Sequence, residues 1–176
     1  MASGSPVSRL VDGYFFAIKA AMATLLAGMI VLVFGNVVLR YGFNSGIAVS
    51  EELSRWLFVW MVFLGAIVGL RQGAHLGVDS LVKNLPVGGR KACFALSHIL
   101  MLYASALLTE GSWKQVVLNW DTTAPASGLS VGIFYLSGLV FGVSSCAILA
   151  WQLYQLLSGK LQDSDLIAVS DSEEHP

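Results

Sequence analysis

Four stretches of this chain are almost free of charge and long enough to cross a lipid bilayer, and no other feature limits its fold as sharply. Lys19 and Arg40 bracket twenty uncharged residues, AAMATLLAGMIVLVFGNVVL. At about 1.5 Å per residue such a helix covers roughly 30 Å, one hydrocarbon core. The second stretch lies between Arg55 and Arg71, sixteen residues apart. That is about 24 Å of helix, and two arginines reaching outward at opposite ends make up the rest. The third follows Arg90 and Lys91 and carries no Asp, Glu, Lys or Arg until Glu110. The fourth runs from Leu129 to Leu157 and is long enough to tilt, with Trp151 and Tyr154 marking its last turns as interfacial. Only 12% of the 176 residues are charged and 56% are hydrophobic. A soluble domain carries about twice that charge, so lipid is the solvent for much of this surface. The expectation is an all-α integral membrane protein. One four-helix domain over 1–158 has spans near 14–39, 51–72, 90–113 and 129–157.

Charge asymmetry sets the direction. Asp163, Asp165, Asp171, Glu173 and Glu174 lie in the last fourteen residues. Residues 159–176 read as an acidic, disordered cytoplasmic tail. With the N-terminus inside, the cytoplasmic side holds Arg9, Lys19, Arg71, Lys83, Arg90, Lys91 and Lys160, against Arg40, Arg55 and Lys114 outside. The positive-inside rule therefore predicts both termini in the cytoplasm. Trp56, Trp60, Trp113 and Trp120 then fall toward the outer interface. The first span reads as retained rather than as a cleaved signal, because it is too long and no small-x-small site follows it. Val78, Leu81, Val82 and Leu85 can share one face of a short interfacial helix between spans two and three, with Asp79 and Lys83 paired and Pro86 and Gly88-Gly89 ending it.

The second span carries the candidate functional residues. Ser50, Glu51 and Glu52 open it as a helix start, with acids near the positive end of the helix dipole. Either acid stands at the right spacing to pair with Arg55. Cap, dipole and snorkelling account for this edge without any function; the rival reading makes Glu51, Glu52, Arg55 and Trp56 a docking surface for another protein. Gly65, Gly69, Gly73 and Gly77 recur every four residues as a smooth stripe. It serves either packing within the chain, with Gly138 and Gly142 as the mate, or a partner helix. Arg71, His75 and Asp79 step by four at the far end, as an interfacial anchor or a switch at His75.

Several chemistries are excluded or disfavoured. Cys93 and Cys146 lie in apolar stretches with no CxxC or metal-ligand spacing. No acid lies near the bilayer centre, where an ion-coupled carrier needs one. His75 and His98 differ in depth by roughly 16 Å, too far for paired haem ligands. His98 reads instead as a hydrogen-bonded core histidine. No catalytic triad, phosphate loop or solenoid-like repeat appears, and spans one-two and three-four do not echo each other. No enzyme activity, no cofactor in this chain and no nucleic-acid partner are expected.

The segments VVLRYGFN, SEELSRWLFVWMVFLGA, LRQGAHLGVDSL and TTAPASGLSVGIFYLSG, in this order, resemble the small membrane subunit of the TRAP (tripartite ATP-independent periplasmic) transporters. The resemblance covers roughly residues 10–158 and is most specific between Arg40 and Pro86; the third span matches in hydropathy alone. It implies a scaffold subunit of the bacterial inner membrane, packed against a large multi-spanning subunit that carries an organic acid and sodium. It also implies a periplasmic binding protein that docks nearby. By position, Glu51, Glu52, Arg55, Arg71 and His75 match the charged residues of the family's pattern. Two rivals make different demands: a self-sufficient homo-oligomeric transporter works alone, and a membrane anchor or assembly subunit belongs to another complex. The order in which the four helices pack, as a compact bundle or as a splayed sheet, is not specified by any sequence signal.

Overall fold

A computed structural model describes residues 6–72 and 87–158. It contains four helices: α1 (Pro6–Gly42), α2 (Ala48–Arg71), α3 (Val87–Leu118) and α4 (Gly132–Leu157). All four are long and apolar enough to cross a membrane. The region expected to hold an interfacial helix, and with it Gly73, His75, Gly77 and Asp79, lies outside the described residues, as does the acidic tail. Gly88 and Gly89, expected to end that helix, stand instead in the first turn of α3.

Two helices outrun their predicted spans. α1 starts eight residues before position 14, with Pro6 at its first position, where a missing N–H costs nothing. α3 ends five residues beyond position 113. At about 1.5 Å per residue α1 reaches roughly 55 Å, well beyond a hydrocarbon core. Charges such as Asp12, Glu110 and Lys114 limit the lipid-embedded stretch, but they do not break the backbone hydrogen bonds that define a helix. Lys114 and Glu110 in fact pair across one turn of α3 at 2.6 Å.

α1 packs on α2, α2 on α4, and α4 on α3. Among the described residues no other pair of helices brings its backbones together. The spatial order is therefore α1-α2-α4-α3, a splayed layer in which α1 and α3 form the edges. In α1 the most apolar window has no buried residue, whereas 28% of that in α4 is buried, as expected for edge and inner positions. Phe15 and Ile18 of α1 meet Leu64 and Ile67 of α2, with Val140, Phe141 and Ile148 of α4 packed against them. Tyr14 of α1 donates its hydroxyl to Ser144 of α4 at 2.7 Å, while Ser144 donates to the Val140 carbonyl.

Lipid offers no hydrophobic drive for helices to associate, so close packing at small residues has to supply adhesion. Two separate small-residue surfaces do this. Gly65 faces α1, where an added Cβ would stand 3.3 Å from Met22 Cε. Gly138 and Gly142 face α3, where added Cβ atoms would meet Ser112 Oγ at 2.7 Å and Thr109 Cα at 3.1 Å. The α4 glycines are thus not the mate of Gly65; they receive the hydroxyl-bearing residues of α3. The Thr109 hydroxyl is satisfied locally, donating to the Ser105 carbonyl at 2.7 Å.

Ion pairs and hydrogen bonds fix the ends. Arg71 pairs with Asp12 at 2.9 Å and lies over the Phe15 ring, 4.0 Å from its centroid. Its partner is thus on α1. Asp12→Asn is expected to lower stability by only about 0–1 kcal/mol, because the pair is exposed, and thermal scans in detergent at low and high salt would measure it. A loss of several kcal/mol, insensitive to salt, would contradict this reading. His98 is 3% exposed. Its Nδ1–H donates to the Phe94 carbonyl at 2.9 Å, and Nε2 lies 3.1 Å from the Gln152 side-chain amide of α4. It is a core histidine with both ring nitrogens engaged.

Candidate functional site

The polar chemistry of the layer gathers where α1 ends, α2 begins and the α3–α4 connection returns. That connection, residues 119–131, is a tight, ordered turn. Thr123 and Ser130 form an antiparallel bridge. Ala124 N–H donates to the Leu129 carbonyl at 2.8 Å, and Gly128 N–H donates to the Ala124 carbonyl at 2.9 Å. Gly128 has φ +71°, a conformation that favours glycine.

The tip of this turn is held by Glu52. Ala126 N–H donates to Oε2 at 3.1 Å, and Ser127 N–H donates to Oε1 at 3.2 Å. The Ser127 hydroxyl donates to the same Oε1. Glu52 is only 6% exposed. A buried carboxylate is tolerated where its lone pairs are taken up, and here three donors from one turn do so.

Neither acid forms the predicted ion pair with Arg55. Glu51 turns to α1, where Arg40 lies 3.6 Å away and Asn36 Nδ2–H donates at 3.4 Å. Helix spacing permits i, i+3 and i, i+4 pairs, but tertiary partners that arrive in fixed positions compete with a flexible arginine. Ser50 is likewise not the helix cap. α2 starts at Ala48, and the Ser50 hydroxyl crosses to the Leu32 carbonyl of α1 at 2.6 Å. Asn36 supplies the local closure, accepting from Ile47 N–H at 2.8 Å through Oδ1.

Trp56 is half-buried against Phe134 of α4, ring centroids 5.9 Å apart. Trp60 Nε1–H donates to the Ile133 carbonyl at 3.2 Å. Both tryptophans therefore lock α2 to the first turn of α4. Between α1 and α2 lies a cleft of about 390 Å³, with Arg55 and the Arg40–Glu51 pair at its rim.

The predicted residues do not form one site. Glu51, Glu52, Arg55 and Trp56 share this end. Gly65 and Gly69 stand in the second half of α2, and Arg71 closes the opposite end. Asn36, Arg40 and Ser127 were not among the candidates. Asn36 had a signal, as the lone amide in an apolar span; Ser127 had none, being one hydroxyl in a loop rich in them. Among the described residues no three His, Cys, Asp or Glu side chains gather as a metal site.

The model of the DctQ component of the tripartite ATP-independent periplasmic transporters matches residues 29–159, from within α1 to just past α4. The chain belongs to the DctQ family of TRAP transporter small subunits. A TRAP transporter small permease protein of Haemophilus influenzae is 43% identical over 137 residues, covering 78% of this chain and 85% of that one. The C4-dicarboxylate TRAP transporter small permease DctQ of Vibrio cholerae is 37% identical over 93 residues, 53% of this chain and 40% of that one. The isethionate TRAP transporter permease DctMQ of Oleidesulfovibrio alaskensis is 27% identical over 149 residues, 78% of this chain but 23% of that much longer one. As a DctQ subunit the chain is a multi-pass membrane transport component and not an enzyme. The family match includes both Glu52 and Ser127, and the cleft as well.

Proposed function

We propose that this chain is the static scaffold of a TRAP transporter that takes up an organic acid together with sodium. A large multi-spanning subunit carries both, and a periplasmic binding protein delivers the acid. The observation that carries this reading is the splayed layer α1-α2-α4-α3. Such a layer leaves broad apolar faces bare, including Phe16, Val31 and Phe34 of α1 and Ile99 and Tyr103 of α3. A scaffold needs faces of that kind, whereas a self-sufficient carrier needs an enclosed polar path. The DctMQ relative supports it further, because a DctQ-like segment there forms a minor part of one longer permease chain. No acid in the sequence lies near the bilayer centre, so ion coupling belongs to the partner and no cofactor is needed here.

In this reading both termini are cytoplasmic, and the end bearing Glu52, Arg55 and the 119–131 turn faces the periplasm of a bacterial inner membrane. Copurification from native membranes in mild detergent tests it. A larger multi-spanning protein in near-equal ratio is the expected result; a well-folded chain without a companion would overturn it. Arg55→Glu should raise the binding-protein concentration needed for half-maximal uptake by about fivefold to tenfold, with the membrane complex still assembled. Unchanged kinetics would remove this edge from the docking surface. For the glycine stripe, Gly69→Leu is expected to release the large subunit, whereas Gly65→Leu should act first on the contact with α1.

A further inference from the structure

The cleft between α1 and α2 sets charged groups beside an apolar strip. Arg40 and Tyr41 from α1 and Glu51 and Arg55 from α2 form its rim, Asn36, Ser50 and Ser54 add polar groups, and Val33 and Val37 are the apolar part. Val33 lies seven residues before Arg40, about 10 Å deeper at helical rise. α1 is an edge helix of the layer, so only two helices wall the cleft. Its volume, about 390 Å³, falls within the range of small-ligand pockets.

The rim has an excess of positive charge. Glu51 is shared with Arg40 at 3.6 Å. Glu52 does not line the cleft; it is bound by the 126–127 backbone, close enough to Arg55 to feel its charge but without an ion pair to it. Arg55 is exposed and forms an ion pair with none of the described residues. Two guanidinium groups thus face one carboxylate. Guanidinium remains charged at every physiological pH and presents a planar fork that fits phosphate oxygens. A small soluble anion would satisfy the rim and leave the valines uncovered. A phosphodiester joined to acyl chains satisfies both, and such molecules are already concentrated at this depth.

We propose that this cleft is a phospholipid site, in which Arg40 and Arg55 hold the headgroup phosphate and an acyl chain lies along Val37 and Val33. A bound lipid there would fill the groove between α1 and α2 and neutralise the unpaired Arg55.

The test uses the intact membrane complex, purified in detergent, stripped of lipid and titrated with dioleoyl phosphatidylglycerol under native mass spectrometry. One tight adduct is expected. The Arg40→Gln/Arg55→Gln double variant should weaken it by at least about tenfold. Arg55→Lys, which keeps the charge and loses the fork, should weaken it by about threefold. Val37→Trp fills the apolar strip, leaves both arginines in place, and should also abolish the adduct, so the proposal stands or falls even if the double variant does not fold. Dioleoylglycerol, with the same chains and no phosphate, should not bind at this site. Inorganic phosphate at about 10 mM should not displace the lipid. Equal lipid binding by the double variant and by Val37→Trp would overturn the proposal, as would dioleoylglycerol binding as well as the phospholipid. Displacement by inorganic phosphate would instead make this a soluble-anion site.

Discussion

Glu52→Ala is expected to free the 119–131 turn and to disable the subunit with the helices still formed. Three donors from Ala126 and Ser127 converge on this one carboxylate, and the side chain is almost fully buried. Removing it takes the acceptor from two part-buried backbone N–H groups and leaves them to water. Amide exchange at Ala126 and Ser127 should accelerate by about a hundredfold, because these protons would open locally rather than with the whole fold. Glu52→Gln should be nearly as damaging. A carboxamide keeps one accepting oxygen and turns an NH2 group toward donors. Ser127→Ala removes one of the three bonds and should have the mildest effect. Uptake by the reconstituted complex should follow the same ranking. Exchange rates in Glu52→Gln equal to those of the unmodified protein would show that the carboxylate does not hold the turn.

Gly142→Ala is the second large effect, and its sign runs against helix propensity. In an open helical position alanine is favoured over glycine by about 1 kcal/mol. At Gly142 the new Cβ would collide with the Thr109 hydroxyl and stand 3.1 Å from the Thr109 Cα, a backbone atom that moves only if α3 moves. Overpacking of this kind costs about 1–3 kcal/mol and sometimes more, so a net loss is expected, with α3 pushed from α4. Gly35→Ala has nothing within 4 Å of the added atom and should instead be stabilising. Gly138→Ala lies between these, because its first obstacle is the Ser112 hydroxyl at 2.7 Å. Adding Ser112→Ala should therefore rescue Gly138→Ala, while Thr109→Ala should rescue Gly142→Ala only in part. Thermal unfolding in detergent across this double-mutant set measures the coupling. Additive losses at Gly138 and Ser112 would show that the two do not touch.

Much of the functional reading is legible in the sequence. The charge-free runs between Lys19 and Arg40 and between Arg55 and Arg71 announce spans, because a charged side chain in hydrocarbon is costly wherever it stands in the fold. The motifs around Arg40, Glu51 and Ser127 pointed to the family. The clustering of Glu51, Glu52, Arg55 and Trp56 at one end was legible too, since one helix fixes their spacing. Their partners were not. Glu52 is 74 and 75 residues from the donors it binds, and nothing in its neighbourhood favours those donors over Arg55, three positions away. The glycines show the same limit. Gly65 and Gly142 look alike in sequence, yet one meets Met22 of α1 and the other Thr109 of α3.

Four spanning helices and the family were already written in the order of residues. The bilayer acts on each segment separately, demanding apolar side chains and a backbone that satisfies its own hydrogen bonds. The order α1-α2-α4-α3, the division of the glycines between two seams, and the capture of the α3–α4 turn by Glu52 arise only when the helices pack. Lipid solvates every apolar helix face about equally well, so hydropathy cannot rank one neighbour above another. That ranking comes from the shape of two surfaces meeting and from which buried donors reach which acceptor, and both exist only once the helices stand side by side.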